Sequence, residues 1–418
     1  MDNTSGKPER VDNLADFIKI TSKFPSSKYE KFVFRGENGI FDERLSSAFV
    51  PTRQTSKNSG YYLDFMEPIN DFYSEVGHNI ADEAKREFLA FSQHYGLRTN
   101  LLDITQNPLV ALFFACFRHE GNEEYEGSVY IFSDKNFLDI TELIKKSPLE
   151  NIIDMLAIGD YEILKKMSAL IKKYFKWHSN QVMFTGIHSD STPVYRKEGI
   201  CEHCGIAVGV KYVENMMFRV FCHARDKYIE NGGSALNVSS ISYNDLVKTY
   251  EDKQVTMGEF IGRGTSGHEH FESLFQRLCE QNEPIKNMAS QARDNATYYV
   301  SFLHYSLKCD QATDVDDHGD LEPYTNFLPP MIYNPSTLFE RARLQRGYFI
   351  YQPYMRIEVI PDSILLPFPN SLNGQGVKVD IVNTFAVRND LDNVNINQGT
   401  LFGDPDNMAQ YLKKKYGG

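Results

Sequence analysis

Residues 94–115 read His-Tyr-Gly-Leu-Arg-Thr-Asn-Leu-Leu-Asp-Ile-Thr-Gln-Asn-Pro-Leu-Val-Ala-Leu-Phe-Phe-Ala, a polar stretch that runs into an apolar one. Asn107 followed by Pro108 is typical of a helix start, because the amide side chain accepts a backbone N–H bond and proline fits the first turn. The residues that follow are apolar all round, which predicts a helix in the core. Residues 94–105 are then predicted to form a polar loop that reaches the core, and such loops commonly line a site.

Three further elements are predicted on either side of this stretch. Residues 32–36 read Phe-Val-Phe-Arg-Gly, an apolar run that predicts a short buried strand with Arg35 at its end. Apolar residues at helical spacing predict one helix from Asn79 to about Gly96. Residues 129–132 are again apolar and β-favouring, which predicts a second strand.

The apolar pattern changes after residue 140. Helical stripes with lysines on the opposite face continue to residue 330 and predict a mostly helical insertion. Strand character returns at residues 347–351, 355–360 and 377–387. We therefore predict an α+β fold. Its parts are a polar N-terminal segment (residues 1–24), a first half-domain (25–140), the helical insertion (141–330) and a second half-domain (331–418).

The composition limits the partners of the chain. Its 418 residues carry 44 Lys and Arg against 56 Asp and Glu, a formal net charge of −12. This balance argues against an extensive nucleic-acid-binding surface, because such binding draws its strength from basic residues at phosphates. No window approaches the roughly 18 uninterrupted apolar residues of a membrane helix, and the first residues lack a signal-peptide pattern. We expect a cytoplasmic protein without a membrane partner.

The cysteines raise the question of a metal. Six cysteines in a chain of this length are too few for a disulfide framework. Cys201, Cys204, Cys222 and His223 are residue types that bind zinc. The direct adjacency of Cys222 and His223, however, makes it awkward for both to reach one ion. We favour reduced structural cysteines and no metal, with a zinc site as the alternative.

Two blocks of the sequence resemble the FRG-domain family of bacteria and phages. The first is Phe34-Arg35-Gly36, the triplet that names the family. The second is the run of His-Tyr-Gly, Leu-Leu-Asp, Asn-Pro and Phe-Ala within residues 94–115. A weaker likeness covers residues 334–415, where Arg341 and Gln345 match a recurring Arg, Gln, Gly, Phe block. The middle of the chain is unmatched.

The order of these elements also resembles the Arg, Ser, Glu layout of ADP-ribosyltransferases. That likeness implies a split mixed sheet and NAD as co-substrate. It implies catalytic roles for Arg35, which would hold the phosphates or the nicotinamide ribose, for Asp103 and Thr105, and for Gln345, which would open the third motif. A transferase needs a carboxylate in that motif, and Gln345 is an amide. Glu340 or Glu358 could supply the carboxylate instead.

The remaining residues of the predicted site would contact the cofactor. They are Gly36, His94, Tyr95 and Thr99, together with Arg35. We expect a nucleotide site of the NAD type, an ADP-ribosyltransferase or NAD glycohydrolase activity, and a role as a toxin or phage-defence effector. The alternative is a non-catalytic module that binds a nucleotide or a protein, with the helical insertion as the partner surface. For the individual residues a structural role is the alternative to a functional one: a buried ion pair for Arg35, with Asp103 as its partner, and local turn formation for Asp103 and Thr105.

Overall fold

The computed structural model describes residues 9–28, 30–39, 46–50, 62–117, 126–180, 183–187, 193–196, 199–200, 207–208, 210–234, 266–311, 328–336, 340–359, 362–368 and 376–416. The strands are β1 Glu9–Val11, β2 Phe32–Glu37, β3 Tyr62–Leu63, β4 Leu101–Thr105, β5 Gly127–Ser133, β6 Leu138–Asp139, β7 Met183–Ile187, β8 Pro193–Arg196, β9 Gly199–Ile200, β10 Ala207–Val208, β11 Met331–Tyr333, β12 Gly347–Tyr351, β13 Tyr354–Val359, β14 Asp362–Pro367 and β15 Val377–Ile381.

The helices lie mostly in the middle of the chain. They are α1 Leu14–Thr21, α2 Met66–Val76, α3 Asp82–Arg86, α4 Phe88–His94, α5 Pro108–Ala115, α6 Thr141–Lys146, α7 Ile152–Ile158, α8 Tyr161–Asn180, α9 Val210–Glu230, α10 Ser266–Gln281, α11 Glu283–Ala289, α12 Asn295–Gln311, α13 Glu340–Gln345, α14 Thr384–Asn393, α15 Gln398–Phe402 and α16 Pro405–Lys415. Short 3-10 turns occur at Ser47–Phe49 and Asp134–Asn136.

Eight of the described strands form one mixed sheet in the order β1-β15-β5-β2-β4-β12-β11-β6. The two outer pairs, β1 with β15 and β11 with β6, are parallel, and the inner pairs are antiparallel. Strands from both ends of the chain therefore lie side by side in one sheet. The fold is α+β with a mixed open sheet and many helices.

Three hydrophobic clusters lie around this sheet. One packs α1, α5 and α14 against β2, β5 and β15. A smaller cluster occupies the other face and includes Val33, Ile104 and Phe132. The largest cluster joins α2 and α4 to the helices between residues 141 and 311 and to β11 and β12. The helical segment thus shares a core with the sheet. The division into domains itself stays a prediction.

Several predicted elements are confirmed. Strands form at residues 32–37, 127–133, 347–351, 354–359 and 377–381. The helix at Pro108 begins as predicted, since the Asn107 side chain accepts the backbone N–H of Leu109 at 3.0 Å. Gly96 ends α4 with a left-handed φ of 88°.

Other predictions were wrong. Residues 101–105 are not loop but the central strand β4, because Leu102 and Ile104 alternate onto one face of the sheet and pack there. The helix predicted from Asn79 to Gly96 breaks at Glu87, whose buried carboxylate accepts the Ser336 backbone N–H at 2.7 Å. Residues 384–393 form α14 rather than a continuation of the strand at Val377–Ile381.

Among the described helices, none is long and apolar enough to cross a membrane.

Candidate functional site

The backbone ladder between β2 and β4, at the centre of the sheet, is interrupted, and we call this interruption the opening. β2 pairs with β5 at six successive positions, but it pairs with β4 only at Phe34 and Thr105. Beyond that pair the two strands lack a regular ladder. The Arg35 side chain spans the opening, and its Nη1 donates to the backbone carbonyl of Asp103 at 2.7 Å. A charged side chain here takes the place of backbone hydrogen bonds.

A buried carboxylate holds Arg35 in place. The Nε of Arg35 donates to Oε1 of Glu37 at 2.8 Å, and the side chains are 19% and 2% exposed. A charge-assisted bond of this kind fixes the plane of the guanidinium. Of the five N–H donors of an arginine, two are engaged in these bonds to described residues. The remaining donors belong to a rigid, partly exposed fork.

Gly36 is required by helix packing. A Cβ at Gly36 would lie 1.8 Å from the carbonyl oxygen of Ala111 and 2.7 Å from the backbone nitrogen of Ala115. Helix α5 therefore lies directly on the β2 backbone. This contact gives the glycine a packing role. Its predicted contact with a cofactor is untested.

The Asp103 carboxylate is reached by solvent, but protein surrounds it closely. Its Oδ1 accepts the Gln93 Nε2–H at 3.0 Å. Burial raises the pKa of Asp103, while the Arg35 and Arg341 guanidiniums act to lower it. Asp103 is therefore accessible at the surface and still desolvated by the residues around it.

Thr99 supports the Asp103 carboxylate indirectly, through Gln93. Thr99 is fully buried, and its hydroxyl donates to Oε1 of Gln93. This bond orients the Gln93 amide so that its nitrogen faces Asp103. Thr99 also receives a hydrogen bond from the backbone of Leu101 at 3.2 Å. Thr99 thus positions other side chains and does not face the opening.

Arg341 on α13 adds a second guanidinium. It lies over the Phe402 ring, 4.5 Å from the centroid. Burial and the charge of Arg341 lower the pKa of half-buried His94, while Asp404 opposes them. Hydrogen bonds from Asn407 and the charge of Arg341 lower the pKa of Asp404. Arg341 therefore links the His94, Asp103 and Asp404 side chains electrostatically.

Thr105 and Gln345 meet each other beside this group. The Thr105 hydroxyl donates to the backbone carbonyl of Gln345 at 2.5 Å. The Gln345 Nε2–H donates to the Leu401 carbonyl at 3.2 Å. Arg346, the next residue, has a left-handed φ of 45°, which is a strained conformation outside glycine. Both predicted catalytic side chains are thus engaged in bonds that join strands and helices.

The structure brings some predicted site residues together and separates others. Arg35 and Asp103 are in contact, and His94 joins them through Arg341. Tyr95 is exposed and packs on Phe91, with ring centroids 4.7 Å apart. The side chains of Glu340 and Glu358 lie outside the described ones. The catalytic and cofactor roles themselves are untested.

Sequence reasoning missed four contributors. Glu37, Gln93, Arg341 and Asp404 hold or influence the predicted residues. Arg341 belongs to the recurring Arg, Gln, Gly, Phe block, but the block alone indicates no role for it. Glu37 and Gln93 are polar neighbours of the predicted Gly36 and His94, but such neighbours are too common to identify a partner without the fold, and Arg341 and Asp404 have no such signal.

The described residues contain no group of three potential metal ligands. Burial raises the pKa of the Cys222 thiol to about 12, which disfavours the thiolate that binds metal. The Nε2 of His223 is 3.0 Å from Oδ2 of Asp310. Cys201 and Cys204 lie outside the described residues.

Comparisons with known proteins give one family match. The family model of the FRG domain matches residues 30–124. Comparisons with curated proteins and with solved structures gave no match. The matched segment contains β2, β4 and α5, and with them Arg35, Gly36 and Asp103. The chain therefore contains an FRG domain.

Proposed function

We propose that the cluster of Arg35, Asp103, Arg341 and His94 binds an anionic, ribose-bearing ligand of the NAD type. One observation carries this proposal: the solvent-accessible Asp103 carboxylate lies within electrostatic reach of the Arg35 and Arg341 guanidiniums, and Arg35 donates to the Asp103 backbone carbonyl. Guanidiniums suit a pyrophosphate through their planar donor fork. A carboxylate suits the hydroxyl groups of a ribose.

The chemistry that follows is transfer or hydrolysis at the nicotinamide ribose. The glycosidic bond to nicotinamide breaks, nicotinamide leaves with the bonding electrons, and water or an acceptor attacks the same carbon and loses a proton. The ribose becomes oxocarbenium-like on the way, and a nearby carboxylate stabilises that charge. Asp103 carries a solvent-accessible carboxylate near Arg35 and Arg341, and the Gln345 amide is occupied by the Leu401 carbonyl. We assign to Asp103 the role that the third motif would otherwise fill.

Consumption of NAD would suit a toxin or a defence effector, which is the setting that we propose for this activity. A non-catalytic binding module is the second candidate. It is favoured by the engagement of Thr105 and Gln345 in structural hydrogen bonds and by the pairing of Arg35 with Glu37. Such a module would bind the same ligand without cleaving it.

Nicotinamide release from NAD distinguishes the candidates. The wild-type protein and Asp103→Asn are incubated with NAD, with Asp71→Asn on the exposed side of α2 as control. A transferase or glycohydrolase releases nicotinamide. In that case Asp103→Asn slows release by about two to three decades and leaves NAD affinity largely intact. Binding without release supports the module. Absence of NAD binding by the wild-type protein contradicts both.

A further inference from the structure

A cavity of about 400 Å³ lies on the other face of the sheet. Val33, Ile332 and Tyr348 line it from strands β2, β11 and β12, and Leu170, Lys173 and Tyr174 line it from helix α8. Val33 and Tyr348 alternate with Phe34 and Phe349, which share the face of Asp103 in the sheet register. The sheet therefore separates the cavity from the Asp103 side chain, while Arg35, two residues after Val33, extends from the same face as the cavity but does not line it.

The cavity is basic in an acidic protein. Lys31, Lys135, Lys173 and Lys176 line it, against two carboxylates. The ion pairs formed among the described residues do not include Lys31, Lys173 or Lys176. Four ammonium groups around one concave surface attract a multivalent anion, and the concave shape strengthens the field.

The two carboxylates in the lining are engaged with the backbone. Asp134 Oδ1 accepts the Lys31 backbone N–H at 3.0 Å, and Asp139 Oδ1 accepts that of Thr141 at 3.1 Å. They fix the turns at this edge of the sheet. They offset part of the lysine charge but leave an excess of positive groups.

The lysines of α8 are divided between this cavity and other contacts. Lys172 pairs with Asp294, and Lys165 lies over the Tyr161 ring. Lys173 and Lys176, three residues apart, lie on one side of the helix and line the cavity. The basic face of this helix is thus more than a solvated surface, since part of it forms one wall of a cleft.

We propose that this cleft binds a phosphorylated nucleoside, with the phosphates at the lysines and the base on the aromatic and apolar lining. The volume lies in the range of roughly 300–1,000 Å³ that is common for small-molecule sites. A bare phosphate would use the charge but not Tyr174, Tyr348 or Phe137, which also line the cleft. The ligand would hold the helical insertion against the sheet, because each contributes a wall.

Titration of ATP into the protein tests this site. We expect saturable binding, weaker binding of tripolyphosphate and still weaker binding of adenosine. Lys173→Glu combined with Lys176→Glu should weaken ATP binding about tenfold or more, because each charged hydrogen bond is lost and replaced by repulsion. Lys165→Glu combined with Lys166→Glu makes the same charge change on the same helix outside the cleft and should have little effect.

A second measurement locates the ligand without relying on a variant. ATP should protect Lys31 and Lys173 from acetylation, read by mass spectrometry, and should leave Lys166 equally reactive. The proposal is overturned if the wild-type protein does not bind ATP saturably, or if both double variants lose affinity equally. It is also overturned if Arg341→Lys abolishes ATP binding while the Lys173 and Lys176 variant retains it, because the nucleotide then binds at the other cluster.

Discussion

The consecutive residues Phe34, Arg35 and Gly36 have three different roles in strand β2. The Phe34 ring is buried beneath α5, Arg35 spans the opening between β2 and β4, and Gly36 lets the α5 backbone touch the strand. Side chains alternate between the two faces of a strand, so Phe34 and Gly36 point to the face covered by α5 and Arg35 points to the other face. The triplet is therefore as much a packing device as a site.

Gly36→Ala should destabilise the fold strongly. The new methyl group would meet the Ala111 carbonyl oxygen at 1.8 Å, and this backbone atom cannot rotate away. We expect a loss of about 1–3 kcal/mol or more in the free energy of unfolding, measured in urea. Gly347→Ala is the matched control, since its nearest neighbour lies at 3.9 Å. Equal stability of the two variants would refute the contact.

Asp103→Asn should change stability in a pH-dependent way. The raised pKa means that the folded protein binds this proton more tightly than the unfolded chain does. The stability contributed by Asp103 therefore falls as pH rises from its ordinary pKa to its folded pKa, and stays low above. The variant lacks this loss, so relative to wild type it should be more stable at pH 7 than at about pH 3.5. A pH-independent difference would argue against the desolvated carboxylate.

At the scale of elements, the strands that enclose the site were predicted better than the segment between them. β2, β5 and β12 were evident from their apolar runs, and α5 from its cap. The polar residues Asp103 and Thr105 make β4 resemble a loop in sequence. The sequence does not show that Asp103 and Thr105 share one face of the sheet while Leu102 and Ile104 pack on the other.

Asn107→Ala should weaken the start of α5. The Asn107 side chain accepts the Leu109 backbone N–H at 3.0 Å, and loss of such a cap typically costs about 1 kcal/mol. Thermal unfolding measures the effect, with Asn107→Asp as control because the carboxylate can still accept the bond. If alanine and aspartate variants unfold alike, the cap contributes nothing.

Gln345→Glu should destabilise the contact between α13 and α15 and should not raise NAD cleavage. The amide donates to the Leu401 carbonyl, and an ionised carboxylate there can only repel it. We expect a cost of about 1–3 kcal/mol at pH 7, smaller at acid pH where the carboxyl is protonated and donates again. Gln345→Met removes the donor without adding charge. Faster nicotinamide release by Gln345→Glu would show that residue 345 faces the ligand.

The whole molecule joins two distant parts of the chain in one sheet. The α+β class, the late strands and the helical character of the middle could be predicted from period alone. The pairing of β12 with β4, across more than two hundred residues, could not, because register depends on partners that no local pattern names. Arg35 and Asp103 could be predicted as candidates from their local sequence. That Arg341 and Gln93 lie near them could not be predicted, because it depends on the same distant pairing.

The most direct test of the proposed site is NAD affinity in Arg35→Lys, measured by calorimetry beside wild type. Lysine keeps the charge but loses the planar fork, so we expect NAD affinity to fall about tenfold or more. Arg10→Lys, at an exposed ion pair with Glu126, should bind as wild type does. If Arg35→Lys is unfolded at the temperature of the measurement, the NAD affinity of Arg341→Lys provides a second test. Unchanged NAD affinity in both folded variants would contradict the account, because the two guanidiniums would then be structural.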